Sequence, residues 1–232
     1  MKDLHAAEWE ELARREPYFR VLTHDGGTVA TDAFFETGEA DIAALLAAIA
    51  SVLGRQPSLT SSLDFGCGAG RITIPLARRS TKTVACDIAP TMLVHAARNV
   101  QNAGLNNVTF IGVDELNDWP AEQFDFICSL LVLQYIPPSS GYAIIRALLK
   151  VLAPGGLAAL HVVFEAPGVS PRTRFLSRVA RRQARPAAFT ETNVYDEHAV
   201  RRHIEAAGAH LIGRFATKNE DAIGAVLIIQ KA

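Results

Sequence analysis

The amino-acid sequence predicts an α/β fold: a seven-stranded, mostly parallel, doubly wound sheet with an antiparallel C-terminal hairpin and an N-terminal helical cap. Three observations support this fold. Short apolar strands alternate with helical segments from about residue 59 onward. A glycine-rich turn joins the first strand to the next helix. The last two apolar runs are separated by the polar residues 219–221 alone, which is too short for a helical crossover, so these strands should pair antiparallel.

Residues 1–58 are expected to form a cap or lid segment. Residues 6–15 have a helical pattern, and Pro17 ends it. Residues 17–38 are aromatic and aperiodic, and a second helix is expected over 39–53. The aromatic side chains would either close over a ligand and exclude water or cover the edge of the sheet.

Residues 59–232 are expected to form the ligand-binding domain. The expected strands are 61–65, 83–87, 107–112, 124–131 and 157–165, alternating with helices 71–79, 90–103 and 139–151. A helix at 196–207 precedes the last two strands, 210–218 and 222–232. The parallel strands are nearly continuous apolar runs, as expected when helices cover both faces of a sheet.

Composition argues against several classes of protein. The net charge is −1, so no overall field favours nucleic acid or anionic lipid. No apolar run approaches the roughly 20 residues of a membrane helix, and no signal peptide is visible, so a cytoplasmic protein is expected. The three cysteines are an odd number without a CxxC pair, which favours buried, reduced thiols. His198 and His203 do not share a helical face, so no metal site is expected.

The strongest local signal is the segment Leu63–Arg71 (LDFGCGAGR), where the first strand meets the first helix. Glycines there permit a sharp turn and close approach of a ligand to the main chain. A nicotinamide dinucleotide prefers GxGxxG, but this spacing is GxGxG with Arg71 in the sixth position. Asp64 would repel a pyrophosphate and would instead accept hydrogen bonds from a cationic amino group. S-adenosylmethionine (SAM) has such a group and no phosphate.

The segment DFGCGAGR resembles the first motif of the class I SAM-dependent methyltransferases. Later segments resemble further motifs of that family in the same order: Asp87–Leu93 (DIAPTML), Phe124–Phe126 (FDF) and Leu148–Gly156 (LLKVLAPGG). The terminal hairpin resembles the family's reversed seventh strand. The resemblance covers about residues 60–232 and implies a Rossmann-like SAM-binding methyltransferase domain.

The resemblance also implies a set of cofactor-binding residues. They are Asp64, Gly66, Cys67, Gly68, Asp87, Ile88, Met92, Asp114, Glu115 and Leu130. In the family, the glycine loop lies against the methionine part of SAM, and a residue matching Asp87 holds both ribose hydroxyls. Ile88 and Met92 would flank the adenine, while Asp114, with Glu115 beside it, would meet the adenine amino group.

The aromatic N-terminal segment and Val132–Pro138 (VLQYIPP) resemble a bacterial subgroup that acts on small molecules, natural products or glycans. Many relatives carry histidine where Tyr135 stands, which puts a catalytic role at this position in doubt. The candidate general base is instead His161 on the fifth strand, where Glu165 should share its face. A buried structural histidine is the alternative. Gln134 and Tyr135 could orient the acceptor.

The acceptor is expected to be a small molecule, methylated on O or N. The basic run 171–186 contains six arginines and would either bind an anionic acceptor or form a solvated helix face. Two other functions remain open, a nicotinamide-dependent oxidoreductase and a non-catalytic partner protein with this fold. A monomer or a homodimer is expected.

Overall fold

The computed structural model describes residues 6–18, 32–166, 192–218 and 222–232, and it confirms the predicted sheet. The strands are β1 (Ser61–Phe65), β2 (Lys82–Asp87), β3 (Val108–Gly112), β4 (Phe124–Ser129), β5 (Leu152–Glu165), β6 (Ala209–Lys218) and β7 (Ile223–Lys231). Their order across the sheet is β3-β2-β1-β4-β5-β7-β6. Strand β7 runs antiparallel to both of its neighbours, and β1 to β5 pair in parallel.

Helices cover both faces of this sheet. Those in the described ranges are α1 (Ala6–Arg15), α2 (Asp32–Leu53), α3 (Thr73–Ala77), α4 (Pro90–Asn102), α5 (Pro138–Val151) and α6 (Glu197–Ala206). On one face, α5 and α6 pack over apolar side chains of the sheet. On the other, α2 and α3 pack over Phe126, Leu157 and neighbouring residues. Helix α2 is therefore a layer of the core, although it precedes the expected boundary at residue 58.

Four elements differ from the sequence prediction by two residues or more, and one of them is β4, which ends at Ser129 and not at 131. Helix α2 begins at Asp32, not at residue 39, because Gly38 is a packing position and not a turn. A side chain at Gly38 would overlap the backbone carbonyl of Arg71, so glycine allows α2 to lie directly on the loop that follows β1. Helix α3 is shorter than the predicted 71–79. Strand β5 begins at Leu152, not at 157, with a register shift against β4 that absorbs the Pro-Gly-Gly segment.

The strand order reverses at β1, which lies inside the sheet. Strand β1 lies between β2 and β4, so the chain moves outward in one direction through β3 and in the other direction after it. A crevice forms at the carboxyl ends of strands where the order reverses in this way. The glycine-rich loop follows β1 at that reversal. No helix in the described parts of the chain is long and apolar enough to cross a membrane.

Candidate active site

The glycine-rich loop turns sharply at the carboxyl end of β1. Gly66, Gly68 and Gly70 have φ angles of 78°, 51° and 93°, which disfavour residues with a side chain. The N–H groups of Gly66 and Cys67 both donate to the carbonyl oxygen of Cys86, at 2.8 and 3.0 Å. The turn is thereby fixed against the end of β2, where Asp87 follows.

Asp87 connects the loop to the second strand. The N–H of Gly68 donates to Asp87 Oδ2 at 2.8 Å, and the N–H of Ala89 donates to Oδ1 at 2.9 Å. Each carboxylate oxygen accepts up to two hydrogen bonds, so both retain capacity for a ligand. Burial raises the pKa of Asp87, and the backbone N–H donors oppose that shift. The arrangement holds one carboxylate rigidly at the floor of the crevice.

Asp64 lies deeper, on β1 itself. Its side chain is 2% exposed, and Thr73 Oγ1 donates to its Oδ2 at 2.7 Å. Burial raises the pKa of Asp64 to about 7, against the opposing effects of the Thr73 hydrogen bond and the Arg71 charge. A cationic partner would stabilise the ionised form of this buried carboxylate, because a nearby positive charge lowers the pKa of a carboxyl group. This property agrees with the predicted contact to an amino group.

A cavity opens above these two carboxylates, and eight of the ten predicted cofactor residues line it. They are Asp64, Gly66, Cys67, Gly68, Asp87, Ile88, Met92 and Leu130. Asp114 and Glu115 are exposed and do not line this cavity. Glu115 Oε1 instead accepts from the Gly112 N–H at 2.8 Å, and Val113 provides the wall at that position. Roles for Asp114 and Glu115 remain predictions.

Helix α1 closes one side of the cavity. Trp9, Leu12 and Pro17 line it, and the Trp9 ring meets the Tyr135 ring edge-on at 5.2 Å between centroids. Thr91 donates to the Glu10 carboxylate through its N–H at 3.1 Å and its Oγ1 at 2.5 Å, which ties α1 to the start of α4. The sequence predicted that aromatic residues either cover a ligand or cover the edge of the sheet, but it did not identify Leu12 or Val113. Neither residue belongs to a recognisable motif.

A second cavity of about 660 Å³ adjoins the first. Arg71, Leu130 and Leu131 line both cavities. His161 lines the second cavity and not the first, and its Nε2 lies 3.0 Å from Thr217 Oγ1. Its Nδ1 is buried without a hydrogen-bond partner, and burial lowers the pKa of His161 to about 4. Glu165 does not share this location: it is exposed, beyond a register shift that interrupts the alternation of β5.

Gln134 and Tyr135 lie in a short 3-10 turn after β4. The turn is fixed from outside, because Asn193 N–H donates to the Gln134 carbonyl at 2.7 Å. The buried Tyr195 hydroxyl lies 2.8 Å from the Ile136 carbonyl oxygen, where it donates. Tyr135 lines the cofactor cavity, and Gln134 does not. The basic run 171–186 lies outside the described residues.

Within the described ranges, no three His, Cys, Asp or Glu side chains come together to hold a metal ion. Cys67, Cys86 and Cys128 are buried free thiols, and burial raises the pKa of each. A thiol with a raised pKa is a poor nucleophile at neutral pH. Among the described residues, the ionisable groups that line the two cavities include Asp64, Asp87, Arg71 and His161.

Much of the segment that forms this site matches a known protein family. Residues 63–156, from β1 to the start of β5, match the family model described as a methyltransferase domain. Residues aligned with a ubiquinone biosynthesis O-methyltransferase of Psychrobacter cryohalolentis are 31% identical over 108 positions, which cover 45% of this chain and 41% of the relative. The corresponding protein of Methylocella silvestris is 29% identical over 157 residues, covering 60% of each chain. The chain thus spans about two fifths to three fifths of the length of these relatives.

Solved structures extend the similarity across nearly the whole chain. A magnesium protoporphyrin IX methyltransferase from Synechocystis with bound SAM has a TM-score of 0.63 at 17% identity, covering 98% of this chain and 97% of that one. The N-methyltransferase NodS from Bradyrhizobium japonicum, in complex with S-adenosylhomocysteine, has a TM-score of 0.61 at 17% identity. It covers 95% of this chain and 97% of its own. At this level of identity, the likeness demonstrates a common fold.

Proposed function

We propose that this chain is a class I SAM-dependent methyltransferase and that it methylates a hydroxyl or amine of a small molecule such as a secondary metabolite or a sugar. SAM supplies the methyl group: the acceptor atom bonds to the methyl carbon, the carbon–sulfur bond breaks with its electron pair on sulfur, and the acceptor's proton leaves to a base. The observation that carries the proposal is the Asp87 carboxylate, held by two backbone N–H groups at the floor of a cavity beside a positive-φ glycine loop.

The side chains around the first cavity fit this cofactor. The two oxygens of Asp87 retain lone pairs for the two ribose hydroxyls. A side chain added at Gly68 would meet no atom within 4 Å, so the loop leaves space for a ligand against its main chain. Asp64 offers a buried carboxylate to the cationic amino group, and Ile88 and Met92 provide apolar surface for the adenine. Asp114 is proposed to reach the adenine amino group from the rim, with Glu115 beside it.

Catalysis is proposed to depend mainly on alignment of the two reactants. Positioning alone supplies about 7–11 kcal/mol in well-oriented intramolecular reactions. His161 is proposed as the base for a hydroxyl acceptor. Its lowered pKa keeps it uncharged, and so able to take a proton, at neutral pH. A base this weak contributes near the lower end of the usual range, about 10²-fold.

We also propose an acceptor class, a location in the cell, an oligomeric state and a division of the chain into domains. The relatives named above act in ubiquinone biosynthesis and on magnesium protoporphyrin IX, which favours a biosynthetic small molecule here. We propose that the arginines of 171–186 bind any anionic group that the acceptor carries, and that the protein acts in the cytoplasm as a monomer or homodimer. Residues 1–58 are proposed to serve as the cap, with α2 also packed on the sheet, and residues 59–232 as the catalytic domain. Neither nucleic acid nor membrane is proposed as a partner.

The first experiment is calorimetric titration of SAM and S-adenosylhomocysteine into the native chain and Asp87→Ala. Micromolar binding to the native chain is expected, with about 100-fold weaker binding to the variant, because two hydrogen bonds to a buried carboxylate are lost. Asp125→Ala is the control. Asp125 also accepts a hydrogen bond from a backbone N–H, that of Ser61 at 2.9 Å, but it lies at the amino end of the parallel strands, away from the cavity. The native chain's failure to bind either compound would overturn the proposal and favour a non-catalytic partner protein or a nicotinamide enzyme.

A further inference from the structure

We infer that the second cavity is the acceptor subsite and that it takes a largely apolar small molecule whose hydroxyl group binds beside His161. This inference rests on the proposed function and makes it more specific, because it selects a hydroxyl over an amine. It also gives the acceptor a location that is separate from the cofactor-binding motifs.

The position of the cavity suits transfer between two ligands. Ser129 of β4 pairs with Leu160 of β5, so His161 is level with Leu130, the residue that follows Ser129. Asp64 of β1 pairs with Cys128, so Gly66 is also level with Leu130. With neighbouring strands about 4.8 Å apart, His161 lies roughly 10 Å across the sheet from the glycine turn. A cofactor and an acceptor seated on these two strands would be adjacent.

The wall between the cavities carries an unusual backbone. Leu131 has a φ of 62°, in the left-handed region that glycine favours. That conformation costs a residue such as leucine about 1–2 kcal/mol. Strained residues of this kind cluster at ligand sites, where the surrounding structure maintains them. Leu131 lines both cavities, together with Leu130 and Arg71.

Most of the described lining is apolar. Helix α2 contributes Ala44, Leu45 and Ala48, and the sheet contributes Val163, Phe215 and Val226. The buried Arg71 pairs with Asp41 at 2.5 Å, so these two charges compensate each other within the wall. Lys218 lies at an exposed position, where solvent screens its charge. The interior of the cavity therefore suits an uncharged, apolar body.

His161 determines which polar group the ligand should carry. The residue is 7% exposed, and its Nε2 lies 3.0 Å from the Thr217 hydroxyl, which also lines the cavity. That hydroxyl keeps either its proton or a lone pair for a ligand, depending on the His161 tautomer. A ligand hydroxyl both donates and accepts, so it pairs with Thr217 in either tautomer, whereas a carboxylate only accepts and an ammonium only donates. A hydroxyl is thus the group that fits the His161–Thr217 pair.

The test uses 2-naphthol, an intrinsically fluorescent hydroxylated aromatic, titrated into the native 232-residue chain saturated with S-adenosylhomocysteine. Naphthalene, which lacks the hydroxyl, is the matched ligand. Ala48→Phe fills the cavity from the α2 side, and Ala47→Phe places the same ring at the adjacent, exposed position outside it. Circular dichroism and S-adenosylhomocysteine affinity report whether each variant is folded. If Ala48→Phe does not fold, Ala44→Phe, at an exposed position on the same wall, replaces it.

We expect 2-naphthol to bind the loaded native protein at least 10-fold more tightly than naphthalene does. Ala48→Phe should weaken 2-naphthol binding at least 10-fold, while Ala47→Phe and all affinities for S-adenosylhomocysteine change less than 2-fold. Undiminished binding to Ala48→Phe, equal binding of naphthalene, or no 2-naphthol binding to the loaded native protein would each overturn the inference. Absence of S-adenosylhomocysteine binding to the native chain would instead count against the proposed function.

Discussion

The two cavities share a wall but are built in different ways. The cofactor cavity is formed mainly by short contiguous segments: the glycine loop after β1, Asp87 and Ile88 after β2, and Leu130 after β4. The second cavity is formed by side chains from α2, β5, β6 and β7, which are far apart in the sequence. The first depends on backbone conformation and the second on packing. A change in loop backbone should therefore affect the first most strongly, and a change in side-chain volume or polarity should affect the second.

The largest effect is expected from Gly66→Ala. The φ of Gly66 is 78°, and an added methyl would overlap the Val132 side chain. We expect a loss of about 4 kcal/mol in the free energy of unfolding, from the backbone conformation and the overlap together. Urea unfolding measures this loss, and titration with SAM should show that binding is abolished.

Gly54→Ala is the matched control for that variant. Gly54 also has a positive φ, 69°, but a methyl there would meet no atom within 4 Å. It should lose only about 1 kcal/mol and bind SAM normally. Equal losses in the two variants would mean that contact with Val132 does not matter, and that the loop is fixed by its φ angles alone.

The next largest effect is expected from Asp64→Asn, which should stabilise the free protein but weaken the binding of SAM. Because the pKa is about 7 in the folded protein and near 3.8 in the unfolded chain, the ionised carboxylate destabilises the free protein as pH rises through this interval. The variant should therefore gain on the order of 3 kcal/mol at pH 8 and little below pH 4. Unfolding measured in urea at pH 8 and at pH 5 tests this pH dependence.

Binding of SAM to Asp64→Asn should weaken about 10-fold at pH 8, because the cationic amino group loses an ionised partner. The native protein should lose affinity below pH 7, where Asp64 takes up a proton, and the variant should not. Destabilisation of the variant at pH 8 would show that the carboxylate has stabilising contacts in the free protein beyond the hydrogen bond from Thr73.

The smallest of the three effects is expected from His161→Gln in the second cavity. In the folded protein the pKa of His161 is about 4, whereas in the unfolded chain it is near 6.5. Native stability is therefore unaffected above pH 6.5 and falls as pH drops toward 4. Between pH 7.5 and pH 5 the native protein should lose about 2 kcal/mol more than the variant. The exposed His210→Gln controls for the loss of a histidine elsewhere.

The same variant tests the proposed base. Transfer of a radiolabelled methyl group from SAM to 2-naphthol should fall about 100-fold in His161→Gln, with unchanged affinity for SAM. Full turnover would exclude His161 as the base and leave it as a residue that positions the acceptor. Loss of SAM affinity would mean that the two cavities are not independent.

Sequence motifs predicted many residues of the cofactor cavity, but they did not predict the path of the loop after β3 or the start of α2. Eight predicted residues line the cofactor cavity, because each lies within a few positions of a strand end that the sequence marks clearly. Asp114 and Glu115 were placed by analogy after β3, where the loop turns and Val113 takes the wall position. The predicted start of α2 was too late. Gly38 has the sequence signature of a turn, and its packing against Arg71 is a long-range contact that the local sequence does not reveal.

The sequence alone determined the αβ alternation, the reversed final strand, the glycine loop and its carboxylate partner, because these depend on local periodicity and on backbone conformations that few residues tolerate. The tertiary structure alone decided that α2 belongs to the core and that His161 belongs to a cavity beside the cofactor site. It also decided that α1 closes the first cavity through Glu10 and Thr91. These features depend on contacts between residues distant in the chain, and no local pattern of residues encodes which distant surfaces will meet.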